Sequence, residues 1–85
     1  MTYEVKWTDT SLKQLEKFDK GIAERIIDKV EHISKDPFMF VKKLKGLNLY
    51  SLRIGDHRAI INIEGKKMII FVLEVGHRNV IYRKY

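Results

Sequence analysis

The chain has 85 residues, with 17 Lys and Arg against 11 Asp and Glu for a formal net charge of +6, no Cys and 45% apolar residues. One core fits in that length, hiding roughly 60–65% of the unfolded surface, which leaves little room for a large buried cofactor. Without cysteine there is no disulfide framework and no zinc–thiolate site, and the ordinary apolar fraction argues against disorder.

Tyr3, Val5 and Trp7 alternate with Glu4 and Lys6, which predicts a strand and not the apolar run of a signal peptide. Thr8-Asp9-Thr10-Ser11 offers several helix N-caps, and Ser11 with Gln14 fits a capping box. Leu12, Leu15 and Phe18 mark a short amphipathic helix, broken at Asp19-Lys20-Gly21. Ile22, Ile26, Ile27, Val30 and Ile33 form the apolar face of a longer helix, with charges such as Glu31 and Lys35 on the other side. Asp36-Pro37 should end it, because the residue before proline is driven out of helical geometry. Residues 38–48 read as a connector, with Phe38, Met39, Phe40 and Val41 tucked into the core and Lys42, Lys43 and Lys45 in water.

From Leu49 the period becomes that of strands: Leu49–Ile54, a Gly55-Asp56 turn of type II′, His57–Ile63, a turn at Glu64-Gly65-Lys66, then Lys67–Val75 as a strand covered on both faces. Asn79–Tyr85 is a short tail. The order β-α-α-β-β-β predicts one α+β domain over residues 1–85, a mostly antiparallel sheet with a helical hairpin on one face. The longest apolar run, Met68–Leu73, is too short to cross a bilayer, which points to a soluble, cytoplasmic protein.

Charge divides unevenly. Residues 1–36 hold seven basic and eight acidic side chains; residues 37–85 hold ten and three. The predicted hairpin sets Arg53 opposite Arg58 on one face, with Ser51, Ile60 and Asn62, while Tyr50, Leu52, Ile54, Ala59, Ile61 and Ile63 share the other. Two arginines face to face repel unless an anion lies between them, and guanidinium groups suit phosphate. The next strand delivers His77 and Arg78, with Tyr82 beyond, toward the same polar face. His32, His57 and His77 show no ligand spacing, so neither a metal nor another cofactor is expected. Arginines can hold a phosphodiester and stabilise a pentavalent transition state, and a tyrosine set among cations can serve as general base.

At these residues the sequence resembles the RelE-type toxins of the RelE/ParE toxin–antitoxin superfamily. The resemblance spans the chain, through Lys42-Lys43-Leu44-Lys45-Gly46, Tyr50–Arg53, Asp56-His57-Arg58-Ala59-Ile60 and the Gly76-His77-Arg78-x-x-x-Tyr82 ending. It implies a ribosome-dependent, metal-independent endoribonuclease that cuts messenger RNA by 2′-OH attack. In that setting Arg58 stabilises the transition-state phosphate, and Arg78 holds the phosphate or assists the leaving oxygen. Tyr82 takes the 2′-OH proton, with Tyr85 its rival for that role. Arg53 matches one of two basic positions on its strand, and the other falls at Ser51. Lys42, Lys43 and Lys45 would contact ribosomal RNA, with Ser51, His77, Arg83 and Tyr85 completing the RNA- or ribosome-binding set. The implied partners are the ribosome, messenger RNA and an acidic RelB-like antitoxin, the toxin alone being a monomer that assembles through the antitoxin. The alternatives are a DNA gyrase inhibitor of the same fold and a non-catalytic, basic RNA-binding module.

Overall fold

The computed structural model describes residues 2–85. Its elements are β1 (Glu4–Trp7), α1 (Asp9–Glu16), α2 (Lys20–Ile33), a 3-10 turn (Pro37–Met39), β2 (Val41–Lys43), β3 (Tyr50–Ile54), β4 (His57–Glu64), β5 (Ile69–His77) and α3 (Arg78–Lys84). The five strands form one sheet in the order β1-β5-β4-β3-β2, antiparallel throughout except that β1 runs parallel to β5. This is the α+β architecture expected, with two additions: the connector supplies an edge strand, β2, and the tail is a helix, α3.

Helix α1 starts earlier than the Ser11 capping box implies. Thr8 is the N-cap, and its side chain accepts from the Ser11 backbone N–H at 3.2 Å. Gln14 is thereby freed for a longer reach, described below. On α2, Ile26, Val30 and Ile33 are buried at the spacing of one helix face, while Ile27 turns outward and is exposed. The helix stops at Ile33, ahead of Pro37, so Lys35 lies past its end; the ion pair that forms on α2 is Lys20–Glu24 at 4.0 Å. That pair is exposed and contributes little.

Leu15, Ile26, Val30 and Ile33 pack onto Leu52, Ile54, Ala59, Ile61, Ile70, Val72 and Val75 to make the main core. Both helices therefore cover one face of the sheet. The opposite face carries α3: a Cβ built on Gly76 would meet the Ile81 side chain at 3.4 Å, and Gly76 pairs with Arg58. Ile60 and Ile81 are buried outside the main core. The strand buried on both faces is consequently β4, from Arg58 to Ile61, whereas β5 keeps Phe71 and Leu73 half-buried. Strand β5 also begins later than predicted, at Ile69, because the turn extends to Met68, which adopts a φ of 55°.

A break in register opposite Ile60 and Ile61 makes Leu73 an extra residue in β5, a β-bulge. Beyond Trp7, β1 no longer covers β5, and side chains from α1 and its cap take over. The Thr8 hydroxyl lies within 3.1 Å of the Val72 and Leu73 carbonyls, and Gln14 Oε1 accepts from the Val75 N–H at 2.7 Å. The exposed edge of a long strand is thus closed by two polar residues.

Candidate active site

The β3–β4 hairpin has the register read from its turn: Ile54 faces His57, Arg53 faces Arg58, Leu52 faces Ala59, Ser51 faces Ile60 and Tyr50 faces Ile61. Gly55 takes a φ of 58° and Asp56 does not enter the left-handed region, as a type II′ turn requires. Alternation then sends Leu52, Ile54, Ala59 and Ile61 to the core and Arg53 and Arg58 to the other face.

The two arginines differ sharply in environment. Arg53 is exposed, whereas Arg58 is only 8% exposed. A buried guanidinium needs acceptors. Arg58 Nη1 donates to the Gly55 carbonyl at 2.9 Å and to the His57 carbonyl at 2.8 Å. Its charge also sits 5.6 Å from the centre of the Tyr82 ring, a cation–π contact. Among the described residues, its hydrogen bonds to the protein leave from Nη1 alone. Nε and Nη2 remain for a ligand, since an arginine carries five donors.

These side chains open into a cleft of about 650 Å³ lined by Met39, Phe40, Val41, Lys42, Lys43, Leu44, Lys45, Ser51, Arg53, Arg58 and Tyr82. Five of the lining residues are cationic and none is acidic. Strand β2 explains part of this convergence. It pairs with β3 so that Lys42 lies opposite Ser51, which places a lysine beside the position where the strand itself has no charge. A second groove, of about 570 Å³ between α2 and the β3–β4 turn, mixes Glu24 and Asp28 with Arg25, Lys29 and Arg53. Its carboxylates make it a poor anion site.

Helix α3 supplies Tyr82, which is 59% exposed. The helix is fixed at both ends. At its start, His77 is the N-cap, with Nδ1 accepting from the Asn79 N–H at 3.2 Å, and the Arg78 N–H donates to the Asp56 carbonyl at 2.9 Å. At its end, Lys84 Nζ lies 2.6 Å from Glu74 Oε1, and the Tyr85 hydroxyl donates to Glu74 Oε2. Gln14 Nε2 donates to the same carboxylate at 3.3 Å. Burial raises the Glu74 pKa, but the hydrogen bonds from Lys84, Tyr85 and Gln14, with the Lys84 charge, outweigh it and hold the group below its usual value. Tyr85 responds in the opposite sense: desolvation, then the Glu74 carboxylate, push its phenol up to about 12.

Of the residues singled out in the sequence, the cleft therefore gathers Lys42, Lys43, Lys45, Ser51, Arg53, Arg58 and Tyr82. Arg78 is exposed and lies outside the lining, although it shares the face of α3 with Tyr82 one turn earlier. His77 caps the helix and pairs with His57 across β4 and β5, their rings 5.7 Å apart. Arg83 lies on α3 outside the cleft, and Tyr85 is bound to Glu74. The expectation that residues 38–40 tuck into the core fails: Phe38, Met39 and Phe40 are 49%, 73% and 38% exposed, because Pro37 is the residue of the turn that is buried. Sequence reasoning missed Glu74 and read Gln14 as a capping-box residue, whereas its side chain bonds Glu74 and the Val75 N–H. A lone carboxylate inside an apolar strand of a basic half was the available signal for Glu74.

Comparison with known proteins identifies the family of the chain. The family described as the ParE toxin of type II toxin-antitoxin system, parDE, matches residues 5–82. A RelE-like toxin protein of Escherichia coli is 30% identical over 81 residues, 92% of this chain and 85% of the relative. The mRNA interferase toxin RelE of Escherichia coli strain K12 is 26% identical over the same shares. A chain in the toxin-antitoxin complex RelBE2 from Mycobacterium tuberculosis superposes with a TM-score of 0.86 at 25% identity, covering 92% of this chain and 100% of that one. The chain belongs to the RelE/ParE family and is a toxin of a toxin–antitoxin system. Among the described residues, no helix is long and apolar enough to cross a membrane.

Proposed function

We propose that this toxin is a ribosome-dependent endoribonuclease that cleaves messenger RNA. The observation that carries this reading is the facing pair Arg53 and Arg58, with Tyr82 against Arg58, in a cleft lined by lysines and free of carboxylates. The messenger-RNA interferase named among its relatives supports it. Tyr82, acting as the phenolate beside Arg58, accepts the proton of a ribose 2′-OH on Oη, and that oxygen attacks the adjacent phosphorus. The bond to the 5′ oxygen breaks, leaving a 2′,3′-cyclic phosphate and a 5′-OH end after the leaving oxygen takes up a proton from water. Arg58 and Arg53 stabilise the charge of the pentavalent transition state. Arg78 meets the charge on the leaving oxygen from the first turn of α3. Tyr82 suits the base role better than Tyr85, whose hydroxyl is engaged by Glu74 and holds its proton up to about 12.

The 2′-OH nucleophile makes RNA the substrate. Lys42, Lys43 and Lys45 give the cleft rim a phosphate-binding, salt-sensitive surface for messenger or ribosomal RNA. The ribosome supplies the positioning that an open cleft in so small a protein cannot, and positioning carries much of catalysis. The cytoplasm is then its place of action, and an acidic, RelB-like antitoxin its inhibitor. The test is translation of a defined message with and without the protein, with mapping of 5′ ends. New 5′-OH ends inside the reading frame are expected. Intact message and unimpaired translation would refute the nuclease, and a loss of gyrase supercoiling alongside would point to the gyrase inhibitor instead.

A further inference from the structure

Three consecutive large apolar residues are exposed, Phe38 and Met39 on a 3-10 turn whose proline is buried and Phe40 at its C-cap. Exposed apolar clusters of this kind commonly mark a contact surface. They are not loose. Phe38 meets the Tyr50 ring edge-on at 5.6 Å; Phe40 meets His32 at 5.4 Å and has Lys29 Nζ 5.4 Å from its centre. Met39 is left with 73% of its surface in water, and Met39 and Phe40 line the same cleft as Arg53, Arg58 and Tyr82. The cleft therefore combines an apolar group, Met39 with Phe40, with cations and with the half-open ring of Tyr82. Single-stranded nucleic acid has the matching composition: phosphates for the guanidinium groups and flat, apolar base faces for the platform.

We infer that the Met39–Phe40 turn is a base-binding subsite, seating one unpaired nucleobase next to the phosphate held by Arg53 and Arg58. The cleft is lined by five cations and no carboxylate, so the apolar wall serves a ligand that brings negative charge with it; we commit to RNA over an acidic peptide, since only RNA makes binding depend on a base, which the abasic strand reads out. The inference rests on the nuclease reading for its substrate, but it concerns binding and is measured without cleavage. Lys42, on the neighbouring strand, holds phosphate and contributes nothing to base contact.

The probe is a fully 2′-O-methylated octanucleotide, which cannot be cut, and the same strand with its central bases removed, titrated into the whole chain and followed by NMR. Met39→Ala is expected to weaken the intact strand about 3- to 10-fold, the range of a methionine–aromatic contact, and to leave the abasic strand unchanged. Met39→Phe should restore or tighten binding. Lys42→Ala should weaken both strands and flatten the salt dependence. Equal weakening of both strands by Met39→Ala, no effect on either, or no binding of the octanucleotide by the unaltered chain would overturn the subsite. Base-dependent binding without cleavage in the translation assay would retain the subsite and discard the nuclease.

Discussion

The two faces of the β3–β4 hairpin are built from alternate residues of the same short segment and serve opposite ends. Toward the helices, Leu52, Ile54, Ala59 and Ile61 are almost entirely buried and belong to the main core. Away from them, Arg53 and Arg58 stand opposite each other beside a cleft. The first face is what hydrophobic burial asks for. The second is what it forbids, since like charges across a strand pair destabilise. The packed face holds the two strands in register, and that register sets Arg53 opposite Arg58 on the other face. Core and candidate cleft are here separated by one residue along each strand.

Substitutions on the two faces break the comparison in different observables. Leu52→Ala empties a fully buried site and should lower stability by about 2–5 kcal/mol in urea unfolding. Arg58→Ala should reduce cleavage on programmed ribosomes about 10²–10³-fold, the effect of removing a transition-state donor. Arg53→Ala, at an exposed position, should slow cleavage while changing stability by less than about 0.5 kcal/mol. Gln14→Ala leaves the Val75 N–H beside the bulge without its acceptor and should cost about 1–3 kcal/mol with the cleft intact.

The smallest effects are those of pH. Burial, the His77 charge and Arg25 lower the His57 pKa from 6.5, against the opposing pull of Asp56. The unfolded chain therefore protonates first, so this contribution is complete above about pH 6.5 and fades as the pH falls below it. Glu74 is also depressed, so its contribution is present above about 4.5 and is lost as the pH falls further. Thermal midpoints should fall in these two windows, and His57→Gln and Glu74→Gln should each flatten one of them.

The hairpin was legible because Gly55-Asp56 is a short turn that fixes every pair beyond it, from Arg53–Arg58 to Tyr50–Ile61. The helices were legible through their period, though Ile27 sits at the margin of the apolar face and falls outside it. Strand β2 was not legible: Val41–Lys43 is three residues long and takes its strand form from pairing with β3. Helix α3 was hidden for a related reason. It has seven residues, one of them buried, and is held by Glu74, His77 and the Asp56 carbonyl, partners distant in sequence or outside the helix. The parallel pairing of β1 with β5 and the exposure of Met39 are likewise tertiary outcomes. Arg53, Arg58 and the lysines of the cleft lining were therefore readable, while the position of Arg78 outside that lining and the apolar wall of Met39 and Phe40 were not.

The central claim is that Tyr82, against Arg58, is the general base, and that Tyr85 belongs to the Glu74 latch. Single-turnover cleavage of messenger RNA on programmed ribosomes by Tyr82→Phe and Tyr85→Phe tests it most directly. The account predicts at least about a hundredfold loss of rate for Tyr82→Phe, as for removal of a general base, and a change of no more than about fivefold for Tyr85→Phe. A fully active Tyr82→Phe beside an inactive Tyr85→Phe would contradict it.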